Sequence, residues 1–511
     1  MGDGLKPFLD RMRQGQETDY RTPFWDGRPR EDVISMLDAE MSVWWNDAPD
    51  LLGTRLQEVE ESQRSKIGPM SVMLPLKLRL PGIQDYWDGD WPNVDLQFEC
   101  EQLLQEIRSS SLLRARSARE AIAGMRLNTN SGYPRFTRRN GVVEEELATY
   151  VEGSWEGLPA ILGWRGSATG FESEASSLEQ VEWQDPKQRT LWMFPFSANI
   201  AEHRYLRPTM DLLLRRTRFV SAWRGPLATD QAVNELMLNA KEWSVPIFST
   251  DFDSYDQTIG PSYQAAIFEC LRGVFQQADH DELGVVESNF RTIPLMIQLN
   301  HQLSGEHGVP SGSGLTNLVD GIGHRLAQLK AAGSSRNLSP HCQIQGDDGL
   351  LVLRDGRDLD HVLNAYLELG LKSNADKQFV GYEDCTYLQR YYHPMIDGGA
   401  YPLYRALNAL LGQERFHSSD RWGPEMVSLR AVMILENAKN HPFYREFVRF
   451  VQDGDSYRLG ATWPGGIDVM LGPKAIKQAT DIRGFLPSYN QEQNIRGLRN
   501  FETYKIIKES E

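Results

Sequence analysis

At 511 residues, 40% of them hydrophobic, the chain is long enough to bury the cores of several lobes. Seventy acidic residues against 54 basic ones leave a formal charge of −16, which argues against a protein coated in basic surface; binding nucleic acid is compatible with that charge if the positive groups line an internal channel. Cys100, Cys270, Cys342 and Cys385 lack paired spacing, so neither a zinc motif nor a disulfide framework is expected, and no apolar run approaches membrane-spanning length.

In chain order, residues 1–60 mix Pro/Gly turns with one helix expected at Arg30–Asn46, and the opening MGDGLKPFLDRMRQG has no apolar targeting core. An intracellular, soluble protein is the default expectation. From 61 to 245, basic helical stretches alternate with Gly/Pro loops, and Ser154–Thr169 reads as loop. Two arginine clusters stand here. Arg108, Arg114, Arg116, Arg119, Arg126, Arg135, Arg138 and Arg139 form the first, and Arg204, Arg207, Arg215, Arg216, Arg218 and Arg224 the second. They suit phosphate contacts that position nucleic acid without reading bases, or else solvated helix faces.

Val245–Ile259, VPIFSTDFDSYDQTI, predicts a short strand running into Asp251, with a helical pattern from Gln257. Asp251, Asp253 and Asp256 suit either a metal site or a helix cap. Gly308–Gly323, GVPSGSGLTNLVDGIG, predicts a Gly/Ser loop opening into an apolar helix through Leu315, Leu318, Val319, Ile322 and Leu326, with Thr316 and Asp320 one turn apart. Read plainly, it is a Gly-rich linker. His341–Arg354, HCQIQGDDGLLVLR, predicts a hairpin with Gly346, Asp347 and Asp348 at its turn, because Gly tolerates positive φ and Asp accepts turn geometry. Any isolated Gly-Asp-Asp is more often a surface turn. Two strands carrying Asp251 and Asp347 side by side, however, would offer hard oxygen ligands to a divalent ion. Amphipathic runs at Pro424–Ala438 and His441–Gln452 predict a helical C-terminal part.

The order of strand-Asp, Gly/Ser loop with helix, and Gly-Asp-Asp hairpin resembles the RNA-dependent RNA polymerases of RNA viruses, and most closely those of the double-stranded RNA picobirnavirus and partitivirus families. DFDSYD resembles motif A, SGSGLTNLVD motif B and QGDDG motif C. NSGYP at Asn130–Pro134 resembles motif G, KQRTLWMFP at Lys187–Pro195 motif F, NADK at Asn374–Lys377 the end of motif D, and YLQR at Tyr387–Arg390 motif E. The resemblance implies an α+β right-hand fold whose palm is an antiparallel sheet flanked by helices. Its expected parts are an N-terminal extension (1–60), fingers (61–245), a palm (246–404) with a fingers insertion near 279–306, and a helical thumb with C-terminal segment (405–511).

It further implies template-directed nucleotidyl transfer from ribonucleoside triphosphates to a growing RNA 3′ end, with Mg²⁺, or Mn²⁺ in its place, held by Asp251 and Asp347 with Asp348 secondary. The Phe252 carbonyl adds an oxygen, and Asp253 is the rival carboxylate. Lys187 and Arg189 would face the triphosphate. Lys377 would protonate the leaving pyrophosphate, with Lys372 as the alternative. Asp256, Thr316 and Asp320 would sense the ribose 2′-hydroxyl, with Asn317 able to share that role and Ser311 and Gly312 forming the moving loop. Many positive-strand virus polymerases carry Asn where Asp320 stands; two carboxylates so close must share a proton or bridge a donor. Ser131, Gly132, Tyr133, Pro134 and Arg390 would contact RNA. The implied partners are single-stranded RNA template, nascent RNA and viral capsid protein, in host cytoplasm and packaged in the virion, without membrane insertion. Two other readings are an inactive RNA-binding or capsid-associated scaffold, which should have lost Asp251 or Asp347, and a reverse transcriptase. The Gly-Asp-Asp and the long motif B helix disfavour the latter.

Overall fold

A computed structural model describes residues 4–47, 53–107, 110–166, 187–373, 378–414, 422–481 and 495–511. The chain forms two compact units. The first comprises Met1–Gln14, Pro75–Trp164 and Thr190–Leu388; the second comprises Gly15–Leu74, Arg165–Arg189 and Gln389–Glu511.

Among the described residues, eight strands form two four-stranded sheets: β1 (Ala160–Arg165), β2 (Arg189–Met193), β3 (Ile247–Thr250), β4 (Leu295–Gln298), β5 (His301–Leu303), β6 (Gln343–Gln345), β7 (Asp348–Leu351) and β8 (Phe379–Gly381). One sheet has the order β2-β1-β4-β5, with β1 parallel to β4. The other, β6-β7-β3-β8, is antiparallel throughout. Strand β1 corrects the expectation of loop over Ser154–Thr169. Its residues Ala160, Ile161 and Leu162 are fully buried, and their pairing with β4, far along the chain, overrides a locally loop-like composition.

The helix Thr316–Ala332 lies against the antiparallel sheet and is buried almost all round. Its apolar positions are those expected from the sequence, but so enclosed a helix must also satisfy every polar group it carries. Gln328 does so by donating to the carbonyls of Gln343 and Leu350, both at 3.1 Å, which fastens helix to sheet. Arg325 is paired with Glu106 at 2.8 Å. Behind this helix run Gln97–Ile107 and Pro261–Arg272, joined by a Cys100–Cys270 disulfide with Cα atoms 5.5 Å apart. This corrects the expectation of unpaired cysteines. The two residues are separated by 170 positions, and only the packing of the two helices brings them together.

The second unit is largely helical. Arg30–Asp47, Leu403–Leu411, Pro424–Glu436, Tyr444–Asp453 and Glu502–Lys508 share one apolar core, with Leu37, Leu407, Val432, Phe447 and Ile507 fully buried. The helices expected at Arg30–Asn46, Pro424–Ala438 and His441–Gln452 are all present, with ends within a few residues. Buried Glu60 accepts from the backbone N–H groups of Leu403 (2.8 Å) and Tyr404 (3.2 Å), where a helix has unsatisfied donors, and its carboxylate meets His441 at 3.1 Å. Among the described residues no helix is long and apolar enough to cross a membrane.

Candidate active site

The register of the antiparallel sheet brings the acids together. Phe248, Ser249 and Thr250 of β3 stand opposite Leu351, Leu350 and Gly349 of β7. The next residue along β3 is Asp251, and the next along β7 is Asp348. Gln345 pairs with Asp348, so the turn itself is the two residues Gly346 and Asp347. Gly346 has φ of 62° and Asp347 does not have positive φ, the signature of a two-residue hairpin with Gly first. Asp348 therefore opens the returning strand rather than belonging to the turn. Asp251 and Asp347 are exposed, and Asp348 is half-buried.

Two side chains that sequence reasoning missed support these acids. The Gln378 amide clamps the Asp251 backbone in both directions, accepting from its N–H at 3.0 Å and donating to its carbonyl at 2.9 Å. His324, fully buried, lies beneath the turn; its Nδ1 is 3.0 Å from the Gly346 carbonyl and its Nε2 3.3 Å from the Thr250 hydroxyl. Burial lowers the imidazole to about 4, with its bond to Gly346 opposing and Arg325 adding to the fall. A neutral ring that donates from Nδ1 and accepts at Nε2 matches both partners. His324 had a sequence signal, because Thr316, Asp320 and His324 recur every four residues in an apolar run. Gln378 had none.

The Gly/Ser loop is bonded to Asp256. The Val309 N–H donates to the Asp256 carbonyl at 2.6 Å, and the Ser311 hydroxyl donates to the Asp256 carboxylate. Thr316 turns back on the loop, donating to the Pro310 carbonyl at 2.9 Å. Asp320, only 4% exposed, has an Oδ1 with no hydrogen-bond partner among the described residues. Burial raises its carboxyl well above the ordinary carboxylate range, and the charges of Asp256 and Asp347 add to the effect. A neutral Asp320 can donate a hydrogen bond, which resolves the conflict between neighbouring carboxylates. Asn317 is exposed on the first turn of the same helix. Asp253 is held through its backbone N–H by the Lys372 carbonyl at 2.8 Å.

Other candidates belong to other elements. Ser131 is fully buried, its hydroxyl accepting from the Thr137 N–H at 3.2 Å, while Gly132, Tyr133 and Pro134 continue the same turn. Lys187, half-buried, and Arg189, exposed, belong to the second unit. So does Arg390, which donates to the carbonyls of Gly399 (3.1 Å) and Asn437 (2.8 Å) and covers the Tyr401 ring. Lys377 lies outside the described residues, as does Arg108. Several clustered arginines are held by internal partners: Arg116 by Asp211, Arg119 by Glu144, Arg135 by Glu145 and Arg204 by Glu282. Arg126, Arg138, Arg215 and Arg216 are exposed.

The profile of the viral RNA-dependent RNA polymerase family matches residues 97–404, a span that contains every element just described. The chain belongs to that family. A potential RNA-dependent RNA polymerase of human picobirnavirus is 34% identical over 99% of this chain and 96% of its own length. The crystal structure of the RNA-dependent RNA polymerase of a human picobirnavirus superposes with a TM-score of 0.85 at 31% identity, covering 100% of this chain and 97% of that one. Its insertion-loop deletion mutant gives 0.83 at 31% identity, with 99% and 97% covered. The Sicinivirus 3Dpol polymerase, at 15% identity and a TM-score of 0.56 over 73% of this chain and 84% of its own, shares the fold. The polymerase thus has the right-hand fold expected from the sequence.

Among its described residues, no three carboxylate, imidazole or thiol side chains converge as a ready-made metal cage. The ends of adjacent strands carry Asp251 on one side and Asp347 with Asp348 on the other. That donor set fits an ion that a protein holds by one or two carboxylates and shares with substrate phosphates.

Proposed function

We propose that the polymerase extends an RNA 3′ end on a single-stranded RNA template, using ribonucleoside triphosphates and two divalent ions, and so replicates and transcribes a viral RNA genome. The observation that carries this reading is the register of β3 against β7, which sets the Asp251 end of one strand beside the Gly346–Asp347 turn of the other. Asp251 and Asp347, with Asp348, would hold Mg²⁺ (or Mn²⁺), which when bound lowers the pKa of the 3′-hydroxyl and neutralises the triphosphate.

The chain's own residues do the rest. Gln378 and His324 keep the two acid-bearing turns in place. Asp256 accepts from the ribose 2′-hydroxyl, and a neutral Asp320 donates a hydrogen bond to the same region; Thr316 shapes the loop carrying Ser311 and Gly312. The roles that the family pattern implies for Lys187, Arg189, Lys377, Asn317, Arg390 and the Ser131–Pro134 turn are part of the same proposal. So are the division into extension, fingers, palm and thumb, a capsid-protein partner, and packaging from host cytoplasm into a virion.

The test is incubation of the full chain with an unprimed single-stranded RNA, labelled ribonucleotides and Mg²⁺. A complementary product that disappears on chelation is expected. RNA binding without any product would favour the inactive-scaffold reading, and efficient use of deoxynucleotides would favour a reverse transcriptase.

A further inference from the structure

The Gly/Ser loop is fastened at two ends by two different acids. At its start, Asp256 takes the Val309 N–H through its carbonyl and the Ser311 hydroxyl through its carboxylate. Midway, the Ser311 carbonyl accepts from the Trp192 N–H at 2.8 Å. At its far end stands Glu202, 1% exposed, on the helix Phe196–Arg216. Its carboxylate accepts from the Ser313 hydroxyl at 2.5 Å, the Gly314 N–H at 2.8 Å and the Asn199 amide at 2.8 Å.

A buried acid is costly unless its oxygens are met by donors, and here three donors meet it. Ser313 meets one oxygen, and Gly314 and Asn199 share the other. Asn199 in turn accepts from Arg139, whose Nε donates to the Asn130 carbonyl at 3.2 Å and whose guanidinium lies over the Phe196 ring at 5.0 Å. Each link has a fixed polarity: the guanidinium donates to the amide, and the amide and the loop both donate to the carboxylate. Close packing reinforces the attachment, since a Cβ on Gly314 would lie 2.9 Å from the His203 ring and 3.1 Å from Glu202.

We infer that Glu202 is a positioning residue for ribose selection: it fixes the Ser313–Gly314 end of the loop so that the Ser311 end stays on Asp256, and Asn199 and Arg139 brace it from the Asn130–Arg139 segment. The inference rests on the polymerase reading, because it gives Asp256 the 2′-hydroxyl to sense. Glu202 touches no substrate; it acts through the loop. Once released, Ser311 no longer holds the Asp256 carboxylate in one orientation, and discrimination between ribose and deoxyribose falls.

The test compares single-nucleotide incorporation of an NTP and its dNTP by the full chain, as wild type, Glu202→Ala, Glu202→Gln and Ser313→Ala. The ratio of kcat/KM for NTP over dNTP should fall about tenfold in Glu202→Ala, which removes both hydrogen bonds to the loop. Ser313→Ala removes one bond from the loop side without altering the helix, and should lower the ratio in the same direction even if Glu202→Ala does not fold. Glu202→Gln keeps the shape and an acceptor for Gly314, and should stay within about threefold of wild type. An unchanged ratio in Ser313→Ala and in folded Glu202→Ala overturns the assignment, and so does an equal loss on both nucleotides, since a purely structural prop would slow both alike. A wild-type chain that incorporates neither nucleotide with Mg²⁺ overturns the polymerase reading instead, and the inference with it.

Discussion

Gly312→Ala perturbs the loop at a single atom. Gly312 has φ of 133°, a backbone conformation that costs an L-residue about 1–3 kcal/mol. A Cβ there would lie 2.2 Å from the Trp192 carbonyl oxygen, where ordinary van der Waals contact begins at 3.4 Å, so the loop must retreat by about 1.2 Å. Gly312 is exposed while Trp192 is fully buried in β2, so the loop yields rather than the strand. Ser311 moves with it, away from Asp256. A misplacement of about 1 Å in a positioned reacting complex costs on the order of 100-fold in rate. The assay is rapid-quench incorporation of one ribonucleotide from a preassembled complex, paired with thermal melting. Incorporation should fall by that order with only a few degrees' loss in Tm. A variant that incorporates within about threefold of wild type would refute the argument that loop position sets the rate.

Gln378→Ala removes both bonds that hold the Asp251 backbone, and should slow incorporation by roughly 10–100-fold with little change in Tm, as rapid quench and melting would show. Asp320 has a raised pKa in the folded state, so its stabilising contribution is complete below the ordinary carboxylate range and is lost as pH rises through the folded value. Asp320→Asn keeps the shape without an ionisable group; in metal-free buffer its Tm should fall less steeply than wild type's as pH is raised, and parallel curves would count against a buried neutral acid. Thiol titration of the unfolded, unreduced chain should find two reactive cysteines, Cys342 and Cys385, whereas four would contradict the Cys100–Cys270 bond. Reducing that bond should lower stability by about 2–5 kcal/mol, given the long loop it closes.

What the sequence made legible was local. Strand β3 and the hairpin were readable from short apolar runs ending at acids, and the helix from Thr316 from its apolar repeat. The second unit's helices were readable from their amphipathic pattern, and family resemblance ordered these pieces into one polymerase. What stayed hidden depends on partners distant in the chain. Strand β1 is held by β4, more than a hundred residues on, and the Cys100–Cys270 bond by the packing of two helices. Gln378 acts through its amide on another strand's backbone, which leaves no periodic trace. Glu202 looks like any acid on a long helix until the loop carrying Ser313 folds onto it. The ion pairs within the arginine clusters were hidden for the same reason, because acids such as Asp211 and Glu282 are supplied by other elements.

The measurement that bears most directly on the central claim is templated ribonucleotide incorporation by wild type and Asp347→Asn at saturating Mg²⁺, in preparations that melt at the same temperature. Asp347 is exposed at the tip of a two-residue turn, so the substitution leaves packing intact and changes only the charge and the ligand. The account predicts Mg²⁺-dependent product from wild type and a fall of at least about 100-fold in the variant. A variant that incorporates at close to the wild-type rate would contradict it.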